Sequence, residues 1–178
     1  MNRFLLPMIV IMNVAAGSTG VSAREWFAPE PPLLSLGTGV AEIFDSHQEL
    51  FWNIEYRPAF RLYRFGPWFS FGSGKHHEFY AAVGVLMDLR LGRGWVITPS
   101  FGGGYYNASS GLDLGFDAEF RSGIEIAKCF RNGHRLGLNF AHLSNGSLSD
   151  KNPGTESLGI VYSIPFDYIF RARSAPAP

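Results

Sequence analysis

From Asp113 to Ile126 the chain alternates strictly between two kinds of residue. The odd positions are Asp113, Gly115, Asp117, Glu119, Arg121, Gly123 and Glu125; the even ones are Leu114, Phe116, Ala118, Phe120, Ser122, Ile124 and Ile126. A strand sends successive side chains to opposite faces, so this stretch carries one charged and one apolar face. A helix would scatter both sets around its axis. The pattern recurs. Leu50, Trp52, Ile54 and Tyr56 alternate with Phe51, Asn53, Glu55 and Arg57, and the apolar odd positions from Phe79 to Leu89 alternate with a set that includes Gly84, Asp88 and Arg90. Eight such segments are predicted, at 33–44, 48–58, 62–72, 78–91, 94–106, 112–129, 134–145 and 155–166. Most reach the length of about 9–11 residues that a tilted membrane-crossing strand needs. Breakers such as "RPAF", "GRG", "RNG" and "GSLSDKNPG" separate them, and no long linker divides the chain.

Eight alternating strands fit two architectures. A soluble lipocalin-like barrel keeps its apolar face inside, whereas an outer-membrane barrel turns it towards lipid and keeps polar side chains in the lumen. Composition decides between them. The polar faces mix Gly and Ser with a few charges of both signs, as a narrow interior filled by side chains and ion pairs requires. A water-facing exterior would carry many more Lys and Glu. The apolar faces are rich in Phe, Trp and Tyr, and aromatics make up 15% of the chain. That suits lipid and its interfaces. The expectation is therefore an all-β, eight-stranded antiparallel transmembrane β-barrel.

The ends agree with export. "MNR", an apolar stretch to Ala16 and small residues at Val21 and Ala23 predict a signal peptide over 1–23. The barrel is expected over 24–170, with a short periplasmic tail, "RARSAPAP", over 171–178. An even strand number puts both ends on one side, the periplasm in bacterial barrels. "GRG" and "RNG" then fall on the periplasmic side, where turns are short, and "GSLSDKNPG" lies outside. Formal net charge is zero, which argues against a nucleic-acid partner. Cys129 stands alone, and no Cys/His cluster has metal-ligand spacing. The expected partner is membrane lipid; a homodimer is one assembly the sequence allows.

Three side chains stand out at the outer ends of the last two strands. On segment 134–145, His142 and Ser144 share parity with Leu136, Leu138 and Phe140. On segment 155–166, Glu156 shares parity with Leu158, Ile160 and Tyr162. If the bulky residues face lipid, a nucleophile, a base and an acid to orient the base converge on the lipid face. That is the arrangement of a Ser-His-acid triad. Singly, each would be ordinary interfacial filler. A hairpin centred near Asp150 would set Ser144 across from Glu156, with His142 a diagonal step away.

"HLSN" followed by "KNPGTESLGIVYS" resembles the signature of the outer-membrane lipid A 3-O-deacylases, the PagL-type enzymes. The likeness is strongest over 138–163, and "LFWNIEYRP" agrees more loosely. It implies that His142 is the base, Ser144 the nucleophile and Glu156 the orienting acid. It implies that Asn145 contributes to the oxyanion hole, that no cofactor or metal takes part, and that the substrate is lipid A or lipopolysaccharide in the outer membrane. Two other readings are a non-enzymatic structural or adhesion barrel and an outer-membrane phospholipase.

Other features carry less. Lys75, His76 and His77 form a loop that could meet phosphate, but adjacent histidines project differently and no third metal ligand is in view. "NAS" at Asn107 and "NGS" at Asn145 match a glycosylation pattern too short to weigh. "FGGGYY" is followed by no helix, so its glycines are expected to relieve crowding inside a narrow barrel.

Overall fold

The computed structural model describes residues 31–45 and 48–167. The expected signal peptide and the tail after Phe170 lie outside them. Nine strands run in chain order: β1 (Leu33–Ala41), β2 (Glu49–Arg57), β3 (Gly66–Gly74), β4 (Phe79–Leu86), β5 (Leu89–Gly92), β6 (Trp95–Asn107), β7 (Ala118–Cys129), β8 (Arg135–Ser144) and β9 (Thr155–Pro165). Neighbours pair antiparallel, β1 closes on β9, and β4 pairs with β6 as well as β3. β4 and β5 are one stave. The register with β6 carries across the break, Leu86↔Ser100 and then Leu89↔Ile97, and shifts only between Arg90 and Gly92. The interruption falls opposite Pro99, which accepts from Met87 N–H at 3.1 Å but has no N–H to return. The result is a closed barrel of eight staves, as the alternation predicts.

Faces follow parity throughout. Leu36, Phe69, Val83, Phe101, Leu138 and Ile160 point outward and are exposed. Ser35, Glu55, Asp88, Thr98, Glu125 and Arg135 point inward and are buried. The lumen holds paired charges in the half away from the β8–β9 hairpin. Arg57 meets Glu55 at 2.6 Å and Glu125 at 2.5 Å. Asp88 meets Arg135 at 3.1 Å and Arg61 at 3.5 Å, and accepts from Thr98 Oγ1 at 2.6 Å. In a low-dielectric interior such charges persist only when paired and hydrogen-bonded.

Trp68 plugs the middle, fully buried, with its indole N–H donating to Val85 O at 3.1 Å. It fits because its neighbours are glycines. A Cβ on Gly102 would lie 2.7 Å from Trp68 Cζ2 and 2.5 Å from Val83 O; one on Gly84 would lie 2.8 Å from Trp68 Cε2. The central part of "FGGGYY" is thus a packing device, as expected. Aromatic rings girdle the outside near one end, from Trp52 through Phe71 and Phe79 to Tyr105, with centroids 5.7–6.0 Å apart.

Three expected boundaries shift. Segment 33–44 ends its pairing at Ala41, and segment 62–72 starts only at Gly66. Segment 112–129 starts at Ala118, because Gly115 at φ +88° turns the chain and Asp113 Oδ1 accepts its N–H at 2.8 Å. Leu114 is therefore buried while Phe116, of the same parity, is exposed.

Two substitutions test this interior. Gly102→Ala should lower stability by about 1–3 kcal/mol, since the added methyl meets backbone as well as Trp68. Arg57→Ala should cost about 3–5 kcal/mol by stranding two buried carboxylates. Denaturant unfolding of the refolded barrels measures both; wild-type midpoints would contradict the packing described.

Candidate active site

β8 and β9 deliver the three singled-out side chains to one end of the barrel, on its outer face. His142 pairs directly with Glu156, and Leu143 with Thr155 is the last pair of the ladder. The expected register, with Ser144 opposite Glu156, is thus corrected. The hairpin is centred one residue earlier than Asp150, because the chain leaves the ladder at Asn145 and turns through Gly146 and Ser147, both at positive φ. Ser144 keeps a partner on the other side, Phe120 of β7.

Direct pairing brings the imidazole and carboxylate together. His142 Nδ1 lies 2.9 Å from Glu156 Oε1. A carboxylate only accepts, so Nδ1 carries the proton and donates it. In the neutral ring Nε2 is then left with a lone pair, the form a general base needs. Both side chains remain partly open, at 39% and 27% exposure, so a lipid can reach them. Ser144 lies on the same face two residues from His142, about 6.5–7 Å along the strand. Among the described residues no hydrogen bond joins it to His142; the structure closes the His–Glu contact and leaves the Ser–His contact open. In unliganded sites such catalytic contacts are often long.

The surroundings are apolar. Phe120 stacks on Phe101 with centroids 6.1 Å apart and planes 8° from parallel. Phe140 and Leu158 are exposed one step further along β8 and β9. Between them Ser122, directly across from His142, is short. The short Ser122 thus lies beside the imidazole on an outer face that carries exposed phenylalanines.

The loop that ends β8 is organised by Asn145, which is fully buried. Its Nδ2 donates to Leu114 O at 3.0 Å and to Lys151 O at 2.8 Å. Its Oδ1 accepts from Ser147 N–H at 3.0 Å. Both amide protons are spent, so the implied oxyanion role of the Asn145 side chain does not fit this geometry. Its own N–H donates to Asn152 Oδ1 at 3.1 Å, which holds that side chain by its oxygen end. Lys151 Nζ reaches Asp113 Oδ2 at 2.7 Å across to the β6–β7 loop. The Lys151 ammonium and then the Gly115 N–H hold the Asp113 carboxyl below the usual carboxylate range.

Gly154, not singled out from sequence, is a further part of the site. It is buried at φ +67°, and a Cβ there would lie 3.0 Å from His142 Cε1 and 3.3 Å from Leu143 O. The tripeptide "NPG" just before the strand was the available signal, since such a turn calls for glycine at a positive φ. The Lys75–His77 loop does something else. His76 Nε2 lies 2.8 Å from Glu49 Oε1, and the His76 backbone N–H donates to Glu78 Oε2 at 3.0 Å, so the residue ties two hairpins together. Among the described residues no three His, Cys, Asp or Glu side chains are placed to hold a metal ion.

Comparison with known proteins bears on the family and the fold. A family model described as "Lipid A 3-O-deacylase (PagL)" matches residues 46–165. The crystal structure of the outer membrane enzyme PagL superposes with a TM-score of 0.57 at 20% identity, covering 75% of this chain and 99% of that one. Neisserial surface protein A superposes with a TM-score of 0.57 at 9% identity, covering 76% and 96%. A de novo designed transmembrane β-barrel gives 0.55 at 10% identity, covering 76% and 97%. At these identities the superpositions show the fold alone. No curated protein sequence matches the chain.

Gly154→Ala should leave the barrel assembled but push the imidazole from its place. A 1 Å misplacement costs about a hundredfold in a positioned reaction, and the ring here must give by less than that. A loss of ester cleavage of up to about tenfold is expected, with normal heat-modifiable migration. Full activity would show that Gly154 does not set the ring's position.

Proposed function

The chain belongs to the lipid A 3-O-deacylase family, and from that premise we propose that Ser144, His142 and Glu156 are its catalytic triad. They would hydrolyse the ester at the 3-position of lipid A in the outer leaflet and release a 3-hydroxy fatty acid. The observation that carries the reading is the 2.9 Å contact between His142 Nδ1 and Glu156 on the lipid-facing side of the barrel. A contact of that kind has no role in packing the lumen, and it leaves Nε2 turned to accept a proton.

The acyl chain lies along the apolar outer face formed by Phe101, Phe120 and Phe140. Ser144 Oγ attacks the ester carbonyl carbon while His142 Nε2 takes its proton. Glu156 stabilises the imidazolium through Nδ1–H. Collapse of the tetrahedral intermediate breaks the bond to the sugar oxygen, which leaves with the proton from Nε2. Water, deprotonated by the same nitrogen, then splits the acyl-serine. The developing oxyanion needs donors fixed in advance. Asn152 is suited to this, because its oxygen is tied to the Asn145 N–H and its amide nitrogen is the remaining end. Asn145 serves by holding that loop.

Hydrolysis of purified lipid A by refolded variants, with the released acid identified by mass spectrometry, tests the assignment. Ser144→Ala and His142→Ala should each lower the rate by about 10⁴-fold or more, without additivity in the double variant. Glu156→Ala should leave more activity, since an unoriented imidazole still presents Nε2 part of the time. Wild-type cleavage by assembled Ser144→Ala would remove the nucleophile from the scheme. Release from phospholipid but not from lipid A would change the substrate and keep the triad.

A further inference from the structure

The outward faces of the strands carry few serine or threonine hydroxyls. Parity sends Thr38, Ser73, Ser122 and Ser144 towards lipid. Thr38 Oγ1 donates to Phe51 O at 2.9 Å, and Ser73 Oγ donates to Gly74 O at 3.4 Å, so both are spent on backbone carbonyls. Among the described residues the side chains of Ser122 and Ser144 form no such bond. A hydroxyl turned to hydrocarbon without a partner carries a cost. The nucleophile's role accounts for Ser144. Neither packing nor the proton path accounts for Ser122, which is exposed.

Sheet register places this hydroxyl beside the reaction. Ser122 pairs directly with His142 of β8 on one flank and with Phe101 of β6 on the other. Directly opposed residues have Cβ atoms about 4.5–5.5 Å apart. Ser144 pairs with Phe120, so Ser122 is the diagonal neighbour of the nucleophile, about 7 Å away. Its neighbours on the same face of β7, Phe120 and Ile124, are apolar, and Phe120 stacks on Phe101. His142 Nδ1 is engaged by Glu156 on the far flank at 2.9 Å, so Ser122 does not orient the ring. One hydroxyl within reach of the ester, set among phenylalanines and off the route of the proton, suits recognition of a polar group on the acyl chain.

We propose that Ser122 is a specificity-determining residue that reads the hydroxyl on carbon 3 of the ester-linked acyl chain. The proposal rests on the deacylase reading and deepens it. With the ester carbonyl at Ser144, the chain crosses β7, and the carbon that bears the hydroxyl is two bonds from the carbonyl carbon. That short span brings the substituent over Ser122, while the alkyl remainder runs on along the phenylalanines. Ser122 and the substrate hydroxyl then exchange a hydrogen bond. A chain without the hydroxyl leaves Ser122 facing hydrocarbon, and the difference between the two is the discrimination.

The test uses the refolded full chain and two synthetic lipid A substrates, identical except for the presence or absence of that hydroxyl on the chain at position 3. They compete in one detergent micelle, and mass spectrometry counts the two released acids, whose ratio reads relative kcat/KM. Wild type should favour the hydroxylated chain about fivefold, the worth of one neutral hydrogen bond. Ser122→Ala should abolish the preference, chiefly by slowing release of the hydroxylated acid. Thr38→Ala, which also removes a lipid-facing hydroxyl, should keep the wild-type ratio. Cleavage of both substrates by wild type without preference, or a preference that survives Ser122→Ala, would overturn the proposal and leave the triad standing. Equal loss of both rates in Ser122→Ala would overturn it by placing Ser122 in the chemistry. A preference lost in Thr38→Ala as well would overturn it by assigning the effect to the lipid face at large. Failure of wild type to cleave either substrate is the separate result that would remove the deacylase reading, and this proposal with it.

Discussion

Lipid offers no hydrogen bonds, so a chain that crosses it in strands must satisfy every backbone N–H and C=O from its own neighbours. Closure of β1 on β9 does that, and everything else in this molecule is arranged around the closed ladder. Once the ladder is closed, side chains have only two destinations. Eight staves enclose a lumen just wide enough to fill. Hence the glycines that make room for Trp68, and hence Arg57 set between Glu55 and Glu125. The outward set needs only to be apolar, with rings at the interfaces.

The same constraint explains why the site looks as it does. A polar triad on the lipid face is tolerable only at the strand ends, where headgroups and water are near. His142 and Glu156 are the penultimate cross-strand pair of the β8–β9 ladder, as far from the bilayer centre as strand pairing still fixes their geometry. Beyond Leu143 and Thr155 the ladder gives out, and the side chain of Asn145 takes over, drawing in Leu114, Ser147 and Lys151. The geometry of the proposed site is thus split between two kinds of rigidity. His142 and Glu156 are held by sheet register on both strands; Ser144 is held by pairing on one side only, with Phe120, and Asn152 lies in a hydrogen-bonded loop.

That division also marks what could be read from residues alone. Parity is a property of each strand by itself, so the number of staves, the inward and outward sets and the shared face of His142, Ser144 and Glu156 were all legible. Register is a property of the turn. The hairpin centre moved by one residue because Asn145 folds the chain back earlier than the polar run suggests, and this placed Glu156 opposite His142 rather than Ser144. Local alternation misled at 112–117, where Gly115 and the Asp113 side chain form a loop from residues that alternate like a strand. The part Asn145 plays is set by contacts of the same kind. A motif records that an amide is required near the serine, but only the contacts show that both of its protons are engaged. The closeness of Gly154 to the imidazole and the reach of Arg61 to Asp88 come from the folded chain and leave no periodic trace.

The central claim is that this barrel carries an activated serine at residue 144 on its lipid face. Reaction of the refolded protein with an alkyl fluorophosphonate, followed by peptide mass spectrometry, tests it most directly, because such reagents label serines by activation rather than by exposure. The account predicts a single adduct on Ser144, lost in His142→Ala while the barrel remains folded. An unlabelled Ser144 in a preparation that still deacylates lipid A, or an adduct that survives His142→Ala at the wild-type rate, would contradict it.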